Sequence, residues 1–379
     1  MLEEYMLDIG FTEQDIKRIN TRSNNLYNFK NLYQYFIKSG LNNKEFIQIV
    51  KTTPNVISTS IENIKNRITL LQNIGFSKSD SFNIVKNYPY ILELTEDKIN
   101  NKLDSFKDLG FSKNNIVNII SNNPSLISLD SSKLENIYNY FKDINYNQED
   151  IINIINTEPT IINSDLNTIK KHIDKFKILG FSGTEIIKIT SMLPNLFTEE
   201  NDILSSKFNY LFEFGYEEET IIKIVKKIPF ILKVNYLEVL ENKLNKLIEL
   251  GFTKQNIIDM TITNPYILLY STDNISNQIF SIKELGYSHE QVIKMLIDFP
   301  LLFGYDINNI TKKIKFYKDN KLDKYILDNS KLLIYNLDHI TSRLEYLKKN
   351  KIKNELDLFI NENEFLNKYK INSLDLIKE

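Results

Sequence analysis

All eight prolines of this chain, Pro54, Pro89, Pro124, Pro159, Pro194, Pro229, Pro265 and Pro300, stand 35 residues apart, with one interval of 36. Proline ends a helix and pushes its predecessor out of the helical region, so the series cuts the chain into equal segments. Fourteen residues before each proline stands a glycine: Gly40, Gly75, Gly110, Gly180, Gly215, Gly251 and Gly286, with Asn145 once. Asn is the usual substitute where the backbone must turn left-handed. An aromatic follows at Phe76, Phe111, Tyr146, Phe181, Tyr216, Phe252 and Tyr287, and Gly10-Phe11 opens the chain with an extra copy lacking its proline. Self-similarity at this period predicts a stack of repeats.

Two residues after the glycine comes an N-cap type, at Thr12, Asn42, Ser77, Ser112, Asn147, Ser182, Thr253 and Ser288, with Glu217 the exception. Capping-box partners follow three residues later at Asp15, Glu45, Asp80, Asp150, Glu185 and Gln291. A first helix of about ten residues therefore starts here and stops at the proline. Its buried side is expected at Ile116, Val117, Ile119 and Ile120, and again at Ile151, Ile152, Ile154 and Ile155. After the proline two apolar residues, such as Leu126-Ile127, predict a tight turn in the core. A second helix then runs to the next glycine, with a stripe such as Ile99, Leu103, Phe106, Leu109 or Leu240, Leu244, Leu247, Leu250. The expectation is an all-α, superhelical solenoid of about eight repeats, each two helices and a short 3-10 turn. Residues 1–39 form a degenerate N-terminal cap, 40–320 the eight-repeat solenoid, and 321–379 a degenerate last repeat with a C-terminal cap.

Composition narrows the chemistry. The chain has no cysteine, so no disulfide or thiolate site, and only His172, His289 and His339 as imidazoles. With no Walker loop, dinucleotide fingerprint or nucleophile elbow, no enzyme activity and no cofactor are expected. No apolar run approaches the roughly 18 residues that span a bilayer, and no membrane partner is expected. The acidic N-terminus differs from a presequence and points to the cytoplasm, or to a mature form. Net charge is −2 from 47 basic and 49 acidic side chains, so attraction to a polyanion requires local sorting of charge.

Aligning the repeats reveals such sorting. Eight residues before each glycine position from Gly75 onward stand Arg67, Lys102, Ile137, His172, Lys207, Lys243, Gln278, Lys313 and Arg343, mostly basic and never acidic. This position shares its helix angle with core residues, where a cation needs a fixed partner or an exit from the core. One reading makes Arg67, Lys102, His172, Lys207, Lys243, Lys313 and Arg343 a ladder on nucleic-acid phosphates. The other has their stems cover the core while their heads bond carbonyls at a neighbouring helix end. A second column, Lys107, Lys142, Lys177, Lys283, Lys318 and Lys348, with acids interspersed, reads as a solvated face. The aromatics after glycine read as core, while Tyr88, Tyr90, Phe230, Tyr266 and Phe299 fit either packing or base stacking.

Copies such as Leu109-Gly-Phe-Ser112 through Pro124-Ser-Leu-Ile127, and Leu250-Gly-Phe-Thr253 through Pro265-Tyr-Ile-Leu268, resemble the mitochondrial transcription termination factor (mTERF) repeat. The resemblance covers about residues 10 to 347, and Glu364-Phe365 to Tyr369 resembles the family's tail. It implies a left-handed superhelix with nucleic acid, double-stranded DNA or RNA, along a basic concave path, acting in transcription, termination or RNA function without catalysis. It also implies a mitochondrial or plastid location for a mature form. The alternative is a protein-interaction scaffold on the same surface. A monomer is expected.

Overall fold

The computed structural model describes residues 1–19, 26–199, 203–233 and 236–372. Among the described residues there are 22 α-helices and ten short 3-10 turns, with no strand, in an order that repeats helix, 3-10 turn, helix. The protein is an all-α solenoid of repeats. Its contacts gather into two compact units, residues 1–201 and 202–379. The division falls inside the array expected at 40–320.

First helices such as Lys113–Asn122, Gln148–Thr157 and Lys254–Thr263 each span ten residues. Every predicted cap from Thr12 to Ser288 accepts the backbone N–H three residues on, whereas Glu217 makes no side-chain cap. Asn115 and Asn256 close capping boxes too, because a carboxamide oxygen accepts as a carboxylate does. Each proline then opens a 3-10 turn, as in Pro124–Ser128 and Pro265–Leu268, whose two apolar residues are buried. Second helices such as Glu96–Asp108 and Tyr236–Glu249 carry the predicted stripe, with Leu109 and Leu250 half-buried at the helix end.

Val117 and Ile152, expected in the buried set, are half-buried. Ile152 lies on the helix edge facing the preceding repeat, where a Cβ added at Gly110 would stand 3.9 Å from its Cδ1, and one at Gly215 would stand 3.3 Å from Ile258 Cδ1. At Gly215, with φ 122°, the glycine thus provides both the left-handed turn and close approach of the next repeat.

The same turn persists where glycine is absent. Asn145 has φ 69°, as predicted, and Lys321 and Lys351 have φ 59° and 57°. Two further units are therefore in register beyond Gly286, with a six-residue first helix at Asp323–Asp328 and 3-10 turns at Ser330–Ile334 and Glu355–Phe359 that lack proline. The last helix, Glu362–Tyr369, buries Phe365 against Tyr346 and Tyr369 at ring-centroid distances of 6.0 and 4.9 Å.

Candidate nucleic-acid interface

The basic column lies inside the stack. Lys102, Lys207, Lys243 and Arg343 are each at most 4% exposed, and Arg67, His172 and Lys313 are half-buried. The heads reach forward to the end of the next 3-10 turn. Arg67 Nε donates to the Leu94 carbonyl at 2.9 Å, Lys102 Nζ to Asp130 at 3.3 Å, and Lys313 Nζ to Leu333 at 2.9 Å. Lys207 donates to the Lys233 carbonyl, and Lys243 to those of Leu268, at 2.8 Å, and Tyr270. Arg343 holds the Leu358 and Ile360 carbonyls at 3.0 and 2.7 Å, with its guanidinium 4.8 Å from the Phe365 ring centroid. The neutral member Gln278 makes the same bond, to Leu302 at 2.6 Å. His172 also interacts with its surroundings.

A 3-10 turn ends in carbonyls without intrahelical donors, and a cation there completes them and meets the negative end of the peptide dipoles. The column is thus a clasp from each second helix to the next turn. Burial pulls Lys102 and Lys243 down to about 8, and lowers Lys313, Arg67 and Arg343 as well. Phosphate contact requires a head open to solvent. The ladder Arg67, Lys102, Lys207, Lys243, Lys313 and Arg343 is therefore corrected: these heads are spent on backbone carbonyls.

In the second column Lys107 and Lys177 pair with Asp104 and Asp174 one turn earlier, at 2.8 and 3.1 Å and exposed to solvent. Lys318 and Lys348 instead staple repeats, bonding the Leu285 carbonyl and, at 3.0 Å, Asn320 Oδ1. The aromatics after glycine are all buried. Of those beside the prolines, Phe299 is buried, Tyr88 half-buried, and Tyr90, Phe230 and Tyr266 are exposed.

One position nearer the N-terminus, a helical rotation of about 100° turns side chains outward. The column there reads Asn31, Asn66, Asn101, Asn136, Lys171, Ser206, Asn242, Asn277, Lys312 and Ser342. It has no acid and no apolar member, and from Asn66 to Lys312 every member is exposed. The side chains of Asn66, Asn101, Asn136, Lys171, Asn242, Asn277 and Lys312 make no hydrogen bond or ion pair among the described residues. Asn136 and Asn163 line one cleft, so Asn136 stands beside the end of the turn Pro159–Asn163. Tyr90, Phe230 and Tyr266 are exposed at the start of their turns, with Lys233 Nζ 5.0 Å from the Phe230 ring centroid. Charge sorting overlooked these asparagines because they carry none. Tabulating hydrogen-bonding type by repeat position would have found them.

Among the described residues no group of His, Asp and Glu could hold a metal ion, and no helix is long and apolar enough to cross a membrane. Compared with known families, the chain matches the mTERF model over residues 3–107, 95–213 and 201–367. No curated protein matches it.

Proposed function

The chain belongs to the mTERF family, and from that premise we propose that it is a non-enzymatic nucleic-acid-binding protein that holds double-stranded DNA or RNA and modulates transcription, termination or RNA function. The observation that carries this reading is the exposed, acid-free column from Asn66 to Lys312, one member per repeat. Asn amides donate to phosphate and sugar oxygens and pair with base edges. Tyr90, Phe230 and Tyr266 offer faces for unpaired bases along the neighbouring turns.

Because amides rather than cations dominate, binding depends less on salt than a ladder of seven cations would make it. Lys171 and Lys312 in the column, with Lys133 in the cleft beside Asn136, give a slope of log K against log salt of about −3 on duplex. Fluorescence anisotropy with duplex DNA, duplex RNA and single strands measures it. Asn101→Ala, Asn136→Ala and Lys171→Glu together should weaken binding at least about tenfold, with the unfolding midpoint held. Absence of binding to every probe at low salt refutes the proposal and favours the protein-scaffold reading.

A further inference from the structure

Among the described residues from Arg67 to Arg343, one repeat has no donor at the clasp position. The second helix Ser131–Asp143 places Ile137 where its neighbours place Arg67, Lys102, Lys207, Lys243, Gln278, Lys313 and Arg343. All seven of those heads bond carbonyls at the end of the next 3-10 turn. Ile137 has no donor. The corresponding turn, Pro159–Asn163, leaves the carbonyls of Ile162, Asn163 and Ser164 without a hydrogen bond among the described residues. A cleft of about 340 Å³ opens at this place, lined by Ile137, Asn136, Lys133, Asn163, Ser164 and Asp165.

We infer that this cleft is a seat for an external alkylammonium or guanidinium head, whether of a free amine or of a lysine or arginine side chain. The protein supplies the template, since a cation or amide occupies the equivalent place in seven other repeats. Three things fit a cation here. The turn ends in unpaired carbonyls, the negative end of its dipoles. Asp165, whose carboxylate caps the following helix through the Asn167 N–H, lines the cleft, as Asp130 attracts Lys102 one repeat earlier. Ile137, only 2% exposed, leaves an apolar floor for the carbons next to the head. Lys133 does not oppose this: Lys98 stands at its position in the repeat where Lys102 is seated. The inference does not depend on nucleic-acid binding.

The test is calorimetric titration of the full chain with n-butylammonium and n-butylguanidinium, with tetramethylammonium, which has charge but no N–H donor, as control at equal ionic strength. The expected result is saturable one-site binding of the first two and none of the third. Ile137→Lys, which fills the seat from within, should weaken binding at least about tenfold and raise the unfolding temperature. If that variant fails to fold, Ile137→Gln, patterned on Gln278, serves. Asp165→Asn keeps an N-cap acceptor for Asn167 and should weaken affinity through lost charge alone. Tighter binding of a lysine-containing peptide than of butylammonium identifies a protein side chain as the source, and the reverse a free amine. No binding by the wild-type chain, equal binding of tetramethylammonium, or undiminished binding by Ile137→Lys overturns the inference.

Discussion

Lys243→Met tests the clasp most directly, because stability against pH distinguishes a buried ammonium from a solvated one. Lys243 is 3% exposed, donates to the Leu268 and Tyr270 carbonyls, and burial holds it at about 8. Unfolded, it titrates near 10.4. The folded value lies below the unfolded one, so between about 8 and 10.4 the unfolded chain binds more protons and wild-type stability rises with pH. The neutral amine keeps two N–H donors for the two carbonyls, so deprotonation removes the desolvation cost without breaking the clasp. From pH 7 to 9.5 the linkage amounts to about 2 kcal/mol. Met has the stem without the donors. At pH 7 it leaves two carbonyls unpaired, at about 1–3 kcal/mol each, but relieves a desolvated charge of comparable cost, so the net loss is only about 1 kcal/mol. Urea unfolding of both proteins, followed by circular dichroism, should therefore show a stability gap widening by about 2 kcal/mol from pH 7 to 9.5. Other titrating groups cancel in that comparison. A constant gap would mean that the Lys243 head is solvated, and loss of nucleic-acid binding by the folded variant would restore the phosphate ladder.

Tyr216 and Thr261 share a buried hydroxyl pair at 2.7 Å, as Tyr146 and Thr190 do at 2.6 Å. Tyr216→Phe or Thr261→Val alone should cost about 1 kcal/mol in urea, while the double substitution should cost less than the sum, a coupling visible in a double-mutant cycle. Tyr287 has no such partner among the described residues, because the next first helix is only Asp323–Asp328, so Tyr287→Phe should be neutral or stabilising by about 1 kcal/mol. Lys321→Gly, at φ 59°, should raise the unfolding midpoint by an amount equivalent to about 1 kcal/mol. A fall at either position would show that the side chain makes a contact the geometry does not reveal.

Most of the fold was legible because each repeat writes its own punctuation. Proline stops a helix by its ring, the left-handed residue ends the next, and the cap starts another, all local effects that need no tertiary context. Legibility declined where a different residue did the same work, as when Lys321 and Lys351 took the left-handed turn without being a glycine or an asparagine. The pairing across repeats was legible in retrospect. Tyr146 and Tyr216 face Thr190 and Thr261, whereas Phe111, Phe181 and Phe252 stand opposite Ile155, Val225 and Leu296 in register, so a hydroxyl after the glycine is matched ten residues beyond the next glycine position.

The basic column shows why a charge pattern alone could not settle its own meaning. Both a phosphate contact and a carbonyl clasp exclude acids from every repeat, since an acid would repel either acceptor. They differ in two respects that a column of cations conceals. A clasp accepts a neutral amide, as Gln278 does, and it can be lost in one repeat, as at Ile137, where the stack persists with a cleft in place of the head. A phosphate ladder needs exposure, which depends on a rotation of about 100° between adjacent helix positions. The inward member of the pair, Lys102 or Lys243, holds the stack together; its outward neighbour, Asn101 or Asn242, is the one free to meet a ligand. Substituting Asn101 and Asn242 should therefore change binding without changing stability, and substituting Lys102 and Lys243 should do the reverse. Comparing urea midpoints with anisotropy titrations across the four positions would overturn this assignment if both pairs moved the same quantity.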